Sequence, residues 1–280
     1  MQMFCIYNGE FLPNDKPVFT VKNRCFRYGD GLFESLRVIN NKVCFISNHL
    51  ERLKQDAAFF DLVLPSFFNE AFIEAQINLL LHKNGLSKDA RIRISIFRKE
   101  GGYYTPFDNS AEYLIEAEAH AENGFNLNKN GLNIDIYDKV RKPQNKLSNI
   151  KSSNAIYAVM ASIFKAQKAL DDCLILNEAG NIAESTASNF FLVSADKLYT
   201  PALDQGCVAG TMRKTIIELA AANGKKVYEC NILPDDLLAA DELFLTNAIT
   251  GIRWIGGFGK KRYFHPAASR FNELLRALIN

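Results

Sequence analysis

The sequence predicts a mixed α/β protein in two domains, and three observations lead there. Segments that alternate apolar and polar residues with period two interleave with segments whose apolar residues recur at helical spacing. The chain has 280 residues, 48% of them hydrophobic and 23% charged, enough for one large domain or two modest ones. A polar stretch over 122–130, rich in Asn and Gly, is the natural break between halves. We therefore expect a small N-terminal domain over 1–121, a linker over 122–130 and a larger C-terminal domain over 131–280.

Taken in order, Phe4-Cys5-Ile6-Tyr7 reads as a strand entering a hairpin at Asn8-Gly9. In Tyr28-Gly29-Asp30-Gly31-Leu32-Phe33, two glycines around an aspartate mark a tight turn before a strand. Leu36–Ile39 and Val43–Ile46, joined by Asn40-Asn41, form a second hairpin. Ser47 or Asn48 can cap a helix starting at His49, with Leu50, Leu53, Ala57 and Phe60 on its apolar stripe and Arg52 off it. A second helix is expected over 69–82. Arg91–Arg98 alternates strictly, as a half-exposed strand does, with Arg91 and Arg93 on the face of Ser95 and Phe97. Gly101–Pro106 is a loop and Tyr113–Ala117 another strand.

Beyond the linker, Leu132–Tyr137 alternates as a strand, and 140–150 is an irregular approach to Lys151. Asn154–Leu170 has helical spacing in Ile156, Val159, Met160, Ile163 and Phe164. Short strands follow at 173–176, 190–193 and 198–200, with Glu184 in a small, hydroxyl-rich turn before the second. Gly210-Thr211-Met212 opens a helix running to about Asn223. A strand at 227–232, a short helix from Asp235, a strand over 241–248 and an amphipathic helix over 266–279 complete the chain.

Composition narrows the function. A net charge of +2 with a single tight basic run, Lys260-Lys261-Arg262, gives no footprint for nucleic acid. No apolar run approaches membrane-spanning length. The six cysteines show no close pairing and sit in apolar surroundings, and no signal peptide is read at Met1–Phe4. Both features point to a reducing, cytoplasmic setting. The four histidines lack metal-ligand spacing, so no metal is expected.

The chemistry concentrates in two stretches, Lys151-Ser152-Ser153-Asn154 and Glu184-Ser185-Thr186-Ala187-Ser188-Asn189. A lysine amine can form a Schiff base with a carbonyl cofactor. A carboxylate can keep a pyridine nitrogen protonated, so that the ring accepts electrons. Read singly, Lys151 can be an ordinary surface lysine and Glu184 a strand-end acid. Together with Tyr28–Phe33, His49–Leu53 and Gly210–Arg213, in this order along nearly the whole chain, they resemble the fold-type IV pyridoxal-phosphate enzymes. These include the branched-chain aminotransferases, D-amino-acid aminotransferases and aminodeoxychorismate lyases.

The resemblance implies a small N-terminal α/β domain and a larger C-terminal domain with a β-barrel-like sheet core and flanking helices. It implies pyridoxal 5′-phosphate as cofactor, with Lys151 as its Schiff-base lysine and proton carrier. Lys142 and Lys146 are rivals in principle, and the asparagine at 154 selects Lys151. Glu184 is implied to face the ring nitrogen, within a block that also places Ser188 and Asn189 at the cofactor. Arg52, the N–H groups of Thr211 and Met212, and the Thr246-Asn247 turn are implied to hold the phosphate. Phe33, Arg37 and Arg93 match substrate positions of branched-chain aminotransferases, although Arg91 stands where those enzymes usually carry tyrosine. Ser35 and Tyr104 are further candidates at the substrate. The loop at 101–104 lacks the arginine–histidine pair of the D-specific branch. The expected activity is transamination between a small, branched-chain or other aliphatic amino acid and a 2-oxo acid, in a homodimer. The alternative is 4-amino-4-deoxychorismate lysis, releasing pyruvate and 4-aminobenzoate.

Overall fold

In the computed structural model, which describes residues 2–86 and 89–279, secondary structure falls into two units. The first is Met1–Gly124 together with Lys151–Asn154; the second is Phe125–Ile150 with Ala155–Asn280.

The first unit contains β1 (Phe4–Tyr7), β2 (Glu10–Pro13), α1 (Arg24–Tyr28), β3 (Gly31–Ile39), β4 (Lys42–Val43), α2 (Ile46–Phe59), α3 (Glu70–Lys83), β5 (Ala90–Arg98) and β6 (Ala111–Ala119). Its strands form one antiparallel sheet in the order β2-β1-β6-β5-β3-β4. The alternation read in 91–98 holds as far as Ile96, beyond which Phe97 and Arg98 are both buried. Ile92, Ile94 and Ile96 are fully buried, while Arg91, Arg93 and Ser95 are half-buried on the other face. Leu32, Leu36 and Ile115 join the buried face, and α2 and α3 pack against the sheet with Leu50, Leu53, Ile73 and Ile77 inward.

Local chemistry sets the connections. Asn40 and Asn41, at φ 49° and 64°, make the β3–β4 hairpin that their side chains tolerate. Asn69 caps α3 by accepting from the Phe72 N–H at 3.0 Å. Gly29 closes α1 at φ 67°, a conformation costly for residues with a Cβ. Lys151–Asn154 belongs to this unit because it runs along the start of β3. Phe33 N–H donates to the Lys151 carbonyl (3.0 Å), Ser153 N–H donates to the Gly31 carbonyl (2.8 Å), and Ser152 bridges Leu32.

The second unit contains β7 (Leu132–Lys142), α4 (Lys146–Asn149), α5 (Ile156–Gln167), β8 (Asp172–Asn177), β9 (Ile182–Ser185), β10 (Asn189–Ser194), β11 (Lys197–Pro201), α6 (Thr211–Ala222), β12 (Val227–Cys230), α7 (Asp236–Ala239), β13 (Glu242–Asn247), β14 (Gly251–Phe258), β15 (Lys261–Arg262) and α8 (Pro266–Ile279). The sheet runs β12-β11-β10-β13-β14-β7-β8-β9, with β15 paired to β14. It curls so that its edge strand β9 lies against β10 and β11, matching the barrel-like core the resemblance implies. Ile134, Leu174, Ile182, Phe190, Leu243 and Ile255 fill one side. Glu242 accepts from the Ala267 N–H at 2.9–3.0 Å, so a buried acid caps α8.

Five elements differ from expectation. The second strand of the β3–β4 hairpin stops at Val43, and α2 starts at Ile46 behind Phe45, which has φ 56° and no side-chain cap. Ser47 does not cap it, because its hydroxyl donates to Glu70 Oε2 at 2.8 Å. Glu184 lies on a strand, β9, not in a turn, with Cα opposite Ile175. β7 continues to Lys142 through the segment expected to be irregular, and β14, not anticipated, completes the sheet.

Candidate active site

In the first unit the chemistry gathers around Phe33. The Lys151 ammonium lies 4.3 Å from the Phe33 ring centroid and the Arg93 guanidinium carbon 3.9 Å from it. The sheet register explains the grouping. Phe33 stands opposite Ser95, two residues beyond Arg93, and the Lys151 segment pairs with β3 just here. Lys151 N–H also faces Asp56 Oδ2 at 3.4 Å. Burial draws the Arg93 guanidinium below its ordinary range, with Glu116 acting the other way.

Behind Phe33, on the helix side of β3, Glu34 accepts from Arg52 Nε at 2.7 Å and from His49 Nδ1 at 2.6 Å. Burial alone would raise the Glu34 carboxyl; Arg52 and His49 outweigh it and bring it down to about 2. Burial lowers His49, reinforced by the Arg52 and Lys151 charges and opposed by Glu34. His49 is therefore neutral near pH 7, its Nδ1–H donating to an ionised Glu34. Arg52, expected on the phosphate, directs Nε and Nη2 to Glu34.

Two expected substrate residues are not in this group. Arg37 lies about 13 Å further along β3 at strand rise. It is fully buried, paired with Asp89 Oδ1 at 3.1 Å and with the Glu122 carbonyl. That pairing is set by its place opposite Arg91 at the far end of the strand, away from Phe33. Tyr104 is 87% exposed, in a loop whose carbonyls bind Arg24.

In the second unit Glu184 is the centre. One oxygen accepts from Lys142 Nζ and the other from the Val208 N–H at 2.8 Å. Lys142 also donates to the Ser148 carbonyl at 3.0 Å. Asn149 ties α4 to the turn before α6, donating to the Leu203 and Cys207 carbonyls at 2.6 and 2.8 Å, while its own carbonyl accepts from Ala209. Asn189 donates to the Val208 carbonyl (2.8 Å), and its Oδ1 fills the space a Cβ on Gly210 would need. A Cβ on Gly210 would displace the Asn189 side chain from its place at the start of α6. Asn247 donates to Ser188 Oγ at 2.9 Å and accepts from the N–H groups of Ile249 and Thr250. Thr246, 1% exposed, keeps a hydroxyl without a hydrogen-bond partner.

The donor set fits pyridoxal phosphate. Each Glu184 oxygen has one donor and so a further lone pair for a ring N–H. The orphaned Thr246 hydroxyl and the positive end of α6 behind Gly210 suit a phosphate. In the first unit, Lys151 has an amine of the kind such a cofactor requires. Sequence reasoning missed Glu34, His49 and Lys142 in these roles. Glu34 had a signal: period two places it with Leu32 and Leu36, an acid on an apolar face. Lys142 had none, its strand being unrecognised.

Known proteins resemble the chain along most of its length. A D-alanine aminotransferase of Bacillus licheniformis is 26% identical over 88% of this chain and 84% of its own. An aminodeoxychorismate lyase of Vibrio harveyi is 25% identical over 84% of this chain and 85% of its own. The crystal structure of a branched-chain aminotransferase from Thermoproteus uzoniensis with norvaline shares the fold, with a TM-score of 0.90 and 23% identity over 100% of this chain and 95% of that one. The family described as amino-transferase class IV matches residues 31–256. The chain therefore belongs to the class IV aminotransferases.

Proposed function

We propose that this chain is a pyridoxal-phosphate-dependent aminotransferase acting on a small aliphatic amino acid, branched-chain in the first instance, and a 2-oxo acid. The observation that carries the reading is the Lys151–Phe33–Arg93 group. It combines an amine for carbonyl chemistry, a guanidinium fork for a carboxylate and an aromatic wall for an apolar side chain. The bound cofactor supplies a carbonyl and an electron-accepting ring.

The protein's own residues do the rest. Lys151 Nζ tethers the cofactor at rest and moves the substrate's α-proton. Arg93 orients the carboxylate and Phe33 lines the side-chain pocket; Tyr104 is an outer candidate. Glu184 accepts from the ring nitrogen. The Thr246 hydroxyl and the first turn of α6 at Thr211 and Met212 would receive the phosphate, for which Arg52 is a further candidate. Ser188, Asn189 and Asn247 hold the turns in which those groups sit. The active form is a homodimer. Support comes from α5, where Ile156, Val159, Met160 and Ile163 form a stripe 40–55% exposed in the single chain. No helix of the described residues is long and apolar enough to cross a membrane. All six cysteines are free, which supports a cytoplasmic setting.

The test is the visible spectrum of the purified protein with pyridoxal phosphate, titrated with L-valine, L-glutamate, D-alanine and aminodeoxychorismate. We expect a yellow protein bleached by L-valine as its 2-oxo acid appears, with Lys151→Ala lowering turnover by about 1,000-fold. Pyruvate release from aminodeoxychorismate, with no response to the amino acids, would reassign the chain to the lyases. A protein that stays colourless with the cofactor would end the reading.

A further inference from the structure

We infer that Lys142 is a positioning residue for Glu184: its ammonium pairs with the carboxylate and aims it before the cofactor arrives, in the place of the ring nitrogen's charge. The inference rests on the cofactor reading above, in which Glu184 meets that nitrogen.

Lys142 is 8% exposed, and a buried ammonium is tolerated only where it is paired. Its backbone is fixed, with Cα opposite Asn177 on β8 and its carbonyl accepting from the Glu178 N–H at 3.1 Å. From there Nζ reaches one Glu184 oxygen and the Ser148 carbonyl. The other Glu184 oxygen is held by the Val208 N–H. Donors from two segments thus fix the carboxylate plane and leave a lone pair on each oxygen. Lys142 therefore holds Glu184 in one orientation, with an oxygen lone pair left for a ring N–H. Because Ser148 lies three residues before Lys151, the same ammonium also fixes the main chain that leads to the reactive lysine.

The experiment compares wild type, K142M and K142M/E184Q by thermal midpoint without and with saturating pyridoxal phosphate. In K142M the carboxylate loses its partner, so the cofactor-free midpoint should fall by about 5 °C or more. The cofactor should then raise the K142M midpoint by more than it raises wild type, since the ring nitrogen now supplies the missing charge. K142M/E184Q, with no bare carboxylate, should regain most of the lost midpoint. An unchanged K142M midpoint, an equal rise on adding cofactor, or a double variant no better than K142M overturns the inference and leaves Lys142 as packing. Should K142M fail to fold, a folded double variant supports the inference and an unfolded one overturns it. A colourless wild type overturns the cofactor reading and this inference together, whereas a yellow wild type beside an unresponsive K142M overturns this inference alone.

Discussion

Glu34 carries a negative charge in the interior because two neighbours on α2 share it, and this makes the first unit sensitive to acid. Its carboxyl falls from 4.5 to about 2 on folding, so its contribution is complete above pH 4.5 and is lost as pH drops towards 2. His49, lowered by burial, acts in the same direction: the folded state resists the proton that the unfolded chain takes up below pH 6.5. The Glu34 shift corresponds to about 3 kcal/mol. Acid titration of the unfolding free energy should therefore show a steep loss between pH 4.5 and 2 in wild type. Glu34→Gln should be less stable at pH 7 and show a shallower loss; parallel curves would disprove the linkage. At this scale the motif residues Lys151 and Glu184 were legible, since each belongs to a block of recognisable order. Their supports were not. Arg52 was read as a phosphate ligand from the likeness of His49–Leu53 to a family segment, and nothing in that segment shows that Glu34 from a strand meets it. For Arg37, nothing in Leu36-Arg37-Val38 shows that Asp89 and the Glu122 carbonyl meet it.

At the scale of elements, what could be read depended on whether the signal was local. Asn69 is a strong cap, and α3 begins where the sequence says it should. Asn69→Ala should cost about 1 kcal/mol, a fall in thermal midpoint of about 2–4 °C. A midpoint within error of wild type would show that the cap contributes nothing. α2 is the counter-example. Ser47 and Asn48 are good caps by type, but Ser47 bonds Glu70 on another helix and the chain turns through Phe45 at φ 56° instead. A tertiary contact overrode a local preference. β5 was legible because one face is fully buried and the other carries charge. β9 and the end of β7 were hidden because their pairing comes from distant strands and their residues do not alternate.

At the scale of the molecule, the apolar stripe on α5 sets the next prediction. Its residues were read correctly as helical in spacing, yet spacing does not say whether a stripe meets its own core or another copy. If a second copy covers it, Val159→Glu with Ile163→Glu should shift the protein from twice the 31.5 kDa chain mass to a single chain by light scattering. A dimer that persists would exclude α5 from the interface. The chain's route has its own consequence. It leaves the second unit at Ile150, gives four residues to the edge of β3 and returns at Ala155. Every strand of the first unit's sheet precedes residue 151 in the chain, so the reactive lysine is the last part added to that strand edge. Cutting the gene at 124 would part that lysine from the edge that orders it. The two halves should therefore be tested for colour as a co-expressed pair, since neither is expected to develop it alone.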